Sequence, residues 1–157
     1  MHIVDIDLRS FVQGAQATQF PLQNLPYGVF STSTGTSAPR VGVAIGDQIL
    51  DLAACAQAGL LQTVPTTVLQ QPSLNALAEL GRERWTALRI ELVQLLQEGS
   101  VIAGVEQHRN LLVAQSQAQL HLPFDIRGYT DFYASENHAF NCGCLFRDPA
   151  NALPPNW

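Results

Sequence analysis

The 157-residue sequence predicts an α+β fold, with strands and turns in its first half and helices in its middle. Three observations carry that expectation. Val41, Val43 and Ile45 alternate along the chain, which places all three on one face of a strand. Gly46-Asp47 follows at once as a two-residue turn signal, so a hairpin partner is expected over residues 48–52. Further on, Trp85, Leu88, Leu92, Leu95 and Leu96 recur at three- and four-residue spacings, the apolar stripe of a helix that packs on a core.

Taken in order, the elements begin with a loop stiffened by Pro21 and Pro26, leading into a strand over residues 27–32. Residues 33–39 read as a polar Ser/Thr/Gly loop before the hairpin. A two-stranded hairpin is weak alone, so Ile3, Ile6 and Phe30 are expected to supply neighbouring strands. Asp51 is placed to cap a short helix through Ala53, Ala54 and Ala56, closed by Gly59. Ser73 is expected to cap residues 74–80, with Gly81 as the stop. The longest helix spans 82–97 and ends at Glu98-Gly99-Ser100. Leu111, Leu112 and Ala114, set among polar residues, suggest a further helix over 106–119. Residues 120–123 then read as the junction between a first domain, 1–120, and the start of a second, 121–157.

Composition narrows the function classes. With 46% apolar and 13% charged residues the chain is globular and long enough to bury a core. No apolar run is long enough to span a membrane, and the early acids Asp5 and Asp7 without a basic flank do not make a signal peptide. The net charge is −5 and lysine is absent; eight arginines are scattered from Arg9 to Arg147. Without a basic stripe, nucleic acid is not an expected partner, and without lysine no Schiff base can form within these residues. An odd count of three cysteines with no export signal predicts reduced thiols and a cytoplasmic setting.

The chemistry-bearing residues gather between Tyr129 and Arg147. Asp131 and Tyr133, two apart, would share one face of an extended strand. A carboxylate there suits a hard cation such as Mg²⁺ or Ca²⁺, or is simply a surface acid. His138 can serve as a general base if its ring is oriented, or be structural. Arg147, after Leu145-Phe146, can clamp a carboxylate with two hydrogen bonds, or pair with Asp148 or another local acid. His138, Cys142 and Cys144 do not have a structural zinc spacing, and no second Cys/His pair exists. Gly143 between the two cysteines suggests a strand with close backbone approach.

These segments, read together, resemble the fumarylacetoacetase (fumarylacetoacetate hydrolase) family. The resemblance begins at 20–30, Phe-Pro-Leu-Gln-Asn-Leu-Pro-Tyr-Gly-Val-Phe, and continues through 40–47 and Leu50-Asp51-Leu52. It resumes in order over 129–138, Phe146-Arg147-Asp148, Asn151-Ala152-Leu153 and Pro155-Asn156-Trp157. The resemblance implies an SH3-like small β-barrel N-terminal domain with packed helices, followed by the truncated beginning of a β-roll catalytic domain. It further implies Asp131 as a ligand of catalytic Ca²⁺ or Mg²⁺, Tyr133 and Arg147 as substrate contacts, and His138 as the general base. The implied reaction is metal-dependent hydrolysis of a carbon–carbon bond in a small diketo acid, 4-fumarylacetoacetate, to fumarate and acetoacetate, by a homodimer. The alternative is a catalytically inactive folded module with an assembly or regulatory role. Gly128, Ala134, Phe140 and Cys142 depart from the family's expected residues. The family's further carboxylate ligands, a lysine and the glutamate that orients the histidine are expected beyond the position of Trp157.

Overall fold

The computed structural model describes residues 4–32, 38–130 and 132–157. The expected loop at 33–37, the strand contribution from Ile3 and the position of Asp131 lie outside the described residues. The chain divides into two compact units, Met1–Asp125 and Ile126–Trp157.

The first unit is α+β, built on one antiparallel sheet. Strands β1 (Tyr27–Thr32), β2 (Arg40–Ile45) and β3 (Gln48–Asp51) form the expected meander. Ile45 pairs with Gln48, which leaves Gly46 and Asp47 as the two-residue loop. Gly46 sits at φ 60, the left-handed backbone that primed hairpin turns demand. Helices α1 (Leu52–Gln57), α2 (Thr66–Leu69), α3 (Asn75–Glu79) and α4 (Gly81–Leu96) follow. The Asp51 carboxylate accepts the Ala54 N–H at 3.0 Å and so caps α1, as its position in the sequence predicts. At the other end, Gly59 N–H reaches the Ala56 carbonyl and Leu60 N–H the Cys55 carbonyl, a Schellman closure around the left-handed Gly59.

Three expectations fail in this unit. Ser73 does not cap α3, whose first residues carry no side-chain cap; Gly81, left-handed at φ 79 directly after the Leu80 C-cap, ends α3 as expected and also opens α4. Glycine tolerates the left-handed backbone that breaks the chain between the two helices. Ile6 lies in a turn and is exposed rather than in a strand. The helix expected over 106–119 is instead a 3-10 turn Glu106–Leu111, strand β4 (Leu112–Ala114), a second 3-10 turn Gln115–Gln117, and strand β5 (Ala118–His121). The hairpin's neighbours are β1, which carries Phe30 as expected and pairs with β2, and the late strand β4, which pairs with β3; β5 pairs with β1 in turn.

The strand order is β4-β3-β2-β1-β5, so β4 and β5 are the two edges. In a flat sheet those edges would lie about 19 Å apart. The backbone from Ala114 to Ala118 can reach at most about 14 Å. The sheet is therefore strongly curled.

The core fills one side of the curl. Val29, Val41, Val43, Ile45 and Leu50 from the sheet meet Leu52 and Cys55 of α1 and Leu88, Leu92 and Leu96 of α4. Burying each such side chain stabilises by about 1.5–3 kcal/mol. Trp85, at the edge of the α4 stripe, is only half-covered and donates its Nε1–H to the Leu77 carbonyl at 2.7 Å. On the opposite sheet face Gly42 lies under the side chains of Phe30 and Ile49. A Cβ there would fall 2.6 Å from Ile49 Cγ2 and 2.7 Å from Phe30 Cε1. No helix among the described residues is long and apolar enough to cross a membrane.

Candidate active site

The second unit is organised by helix α5 (Glu136–Phe146). Its start is local chemistry. Ser135 has extended backbone, its Oγ accepts the His138 N–H at 3.4 Å, and Glu136 adds a negative charge to the first turn. The strand expected around Cys142-Gly143-Cys144 is therefore a helix. The close backbone approach expected at Gly143 is present nonetheless, because a Cβ on that residue would overlap the Ala152 carbonyl. After α5 the chain turns through a 3-10 turn, Pro149–Asn151, capped by the Asp148 carboxylate on the Ala150 N–H at 2.8 Å.

This turn-back gathers the candidate residues. Tyr133 has φ 52, so the chain is not an extended strand at that point. A bulky residue in left-handed backbone is strained, typically by about 1–3 kcal/mol. Its ring meets the His138 imidazole edge-on, with centroids 5.5 Å apart and planes at 83°. Its hydroxyl donates to the Ala139 carbonyl at 3.4 Å, and its own carbonyl accepts the Trp157 indole N–H at 3.1 Å. Arg147 donates from Nη1 to the Ala152 carbonyl at 3.3 Å, while the neighbouring Asp148 is engaged in capping. Tyr133, Cys142, Phe146, Arg147 and Trp157 line an open cavity of about 390 Å³. Cys142 is one helical turn beyond His138, and its Sγ lies 3.7 and 3.8 Å from the two ring nitrogens.

The strongest shifts in proton affinity lie in the first unit and arise from burial. Burial pushes the Cys55 thiol up to about 12, helped by the nearby Asp51 charge. Burial likewise raises the Tyr27 phenol to about 12 against the pull of Arg89. Arg89 itself is lowered by desolvation and donates to the Leu25 and Gln23 carbonyls at 3.0 and 2.7 Å. These groups sit in or against the core and read as structural. Among the described residues no three His, Cys, Asp or Glu side chains converge as a metal site.

Comparison with known proteins decides the lineage. Residues 23–123 match the family model described as Fumarylacetoacetase N-terminal. The chain is 47% identical over 154 residues to a protein named Fumarylacetoacetase from Caenorhabditis elegans, covering 96% of this chain and 37% of that protein. It is 44% identical over 152 residues to the Homo sapiens protein of that name, covering 94% and 36%. The Arabidopsis thaliana protein is 40% identical over 155 residues, covering 96% and 37%. This chain belongs to the fumarylacetoacetase family. It spans a little over a third of the length of the relatives it matches.

Within that family frame, the structure brings Tyr133, His138 and Arg147 into one unit, with Tyr133 and Arg147 lining one cavity and His138 against the Tyr133 ring. It also adds Cys142 and Trp157, which the sequence analysis did not assign to the site. The signal for Cys142 is its four-residue spacing from His138, legible only once the segment is read as a helix. Ser135 followed by Glu136 is the helix-start signature that permits that reading.

Proposed function

We propose that this chain is the N-terminal domain and the opening of the catalytic domain of a cytoplasmic, homodimeric hydrolase that cleaves the carbon–carbon bond of 4-fumarylacetoacetate to fumarate and acetoacetate. The observation that carries the proposal is the similarity, at 40–47% identity over nearly the whole chain, to proteins named for that activity. The short link between β4 and β5 supports an SH3-like small barrel for residues 1–120, and residues 121–157 are proposed as the start of a β-roll.

His138 is proposed as the general base. An imidazole takes a proton from water well near neutral pH, and the edge of the Tyr133 ring limits the orientations open to it. Tyr133 and Arg147, which line one cavity, are proposed to hold the substrate, with the guanidinium facing a carboxylate. Asp131 is proposed as one oxygen ligand of Ca²⁺ or Mg²⁺. The described residues alone do not fit such a cation, because no three ligating side chains converge among them.

The test is a chimera in which these 157 residues replace the matching segment of the Caenorhabditis elegans relative. It should hydrolyse 4-fumarylacetoacetate, and His138→Gln should lower kcat by about 10²–10⁴-fold. A folded chimera without activity would refute the reading. A chimera whose activity survives His138→Gln would remove His138 from the role of base. The second reading is a catalytically inactive folded module with an assembly or regulatory role, which the self-contained core of the first unit supports. Hydrolysis by the chain alone well above background would exclude that reading.

A further inference from the structure

The three cysteines occupy three different environments. Cys55 is fully buried in the core, where burial holds its thiol protonated up to about 12. Cys144 is half-buried on α5. Cys142 is half-buried on the same helix, but its sulfur touches both ring nitrogens of His138 at 3.7 and 3.8 Å and it lines the cavity that holds Tyr133 and Arg147. A thiol becomes a nucleophile as its thiolate, and an imidazole in hydrogen-bond contact is the side chain best suited to take its proton near neutral pH.

We infer that Cys142, with His138 as its proton acceptor, is a site of covalent modification by carboxylate-bearing α,β-unsaturated carbonyl compounds. The electrophile class follows from the cavity. The sulfur is a soft nucleophile, which prefers a conjugated carbon over a hard centre. Arg147, which lines the same cavity, favours an anionic ligand. In the addition, the Cys142 sulfur forms a bond to the β-carbon while the carbon–carbon π bond breaks. The thiol proton passes to His138 and then to the α-carbon. No oxidant or second reagent is needed. Once formed, the adduct occupies the cavity next to His138, so an accumulating unsaturated acid would silence the site. That consequence rests on the hydrolase reading, whereas the thiol chemistry does not.

The experiment uses the 157-residue chain with two probes, trans-4-oxopent-2-enoate and its neutral methyl ester, and follows adducts at each cysteine by peptide mass spectrometry. Cys142 should react with the acid roughly tenfold faster than Cys144, and Cys55 should stay unmodified in the native chain. His138→Gln should bring the Cys142 rate down to that of Cys144. Arg147→Ala should abolish the preference for the acid over the ester, read as the ratio of the two rates at Cys142. Equal rates at Cys142 and Cys144 in the unsubstituted chain would overturn the inference without any variant having to fold. A Cys142 rate unchanged by His138→Gln would overturn the role of the histidine. Neither result depends on whether the chimera hydrolyses its substrate, so the two readings fail separately.

Discussion

Arg40 Nε lies 2.5 Å from Asp51 Oδ2, and the other oxygen of the same carboxylate accepts the Ala54 N–H. One nearly buried acid thus joins the middle strand of the meander to the start of α1. The Arg40 guanidinium also lies 4.5 Å from the centre of the Phe30 ring, so the charge is held between an anion and an aromatic face. The two functions of Asp51 separate on substitution. Asparagine caps a helix about as well as aspartate, whereas alanine does not. Asp51→Asn should therefore lose only the ion pair, and Asp51→Ala should cost about 1 kcal/mol more. Urea denaturation of both variants checks this; equal midpoints would mean the cap contributes nothing.

Gly42 tests the fit of the sheet's open face. Gly42→Ala would push a methyl group into Phe30 and Ile49, and Phe30 is almost wholly buried. The expected loss is about 1–3 kcal/mol, the cost of overpacking. An unchanged thermal midpoint would show that those two side chains can move aside.

Gly143 sets two effects against each other. Alanine is a better helix former than glycine by about 1 kcal/mol. Here, however, the added methyl would strike the main-chain carbonyl of Ala152, which cannot rotate away as a side chain can. Gly143→Ala should therefore speed hydrogen exchange of the α5 amides. Slower exchange would mean that helix propensity wins and that the return segment packs elsewhere.

Alkaline pH should weaken the fold in two stages. In the folded protein Cys55 and Tyr27 keep their protons up to about 12, whereas their ordinary values are 9.0 and 10.0. Above pH 9 the unfolded chain thus binds fewer protons than the folded one, and stability falls as pH rises. Below pH 9 neither group adds a pH dependence. The decline should begin as Cys55 starts to ionise in the unfolded chain and steepen once Tyr27 joins it. Cys55→Ala should delay the onset by about one pH unit, read from urea midpoints between pH 8 and 11. The same onset in the variant would show that Cys55 does not contribute.

Much of the site was legible as residue types and little of it as geometry. Tyr133, His138 and Arg147 stand out in the sequence because a phenol, an imidazole and a guanidinium lie within fifteen residues. Their arrangement did not, because the segment was read as a strand. A strand reading puts Cys142 out of contact with His138, whereas one helical turn brings them together. The left-handed backbone of Tyr133 has no sequence signal either, since tyrosine is not a residue that favours it.

The sequence by itself determined the elements whose causes are local. The β2–β3 hairpin follows from alternation and Gly46-Asp47, α1 from the Asp51 cap and Gly59, and α4 from its leucine stripe. In each case the deciding contacts lie within a few residues, so composition and spacing suffice. Only the tertiary structure decided that residues 112–114 and 118–121 are strands. Strands of three and four residues are too short to display a period, and they are stable because β3 and β1, distant in the chain, offer unpaired edges. The same holds at the site: the backbone strain at Tyr133, the approach of Gly143 to Ala152 and the pairing of His138 with Cys142 depend on how the helix and its return segment meet.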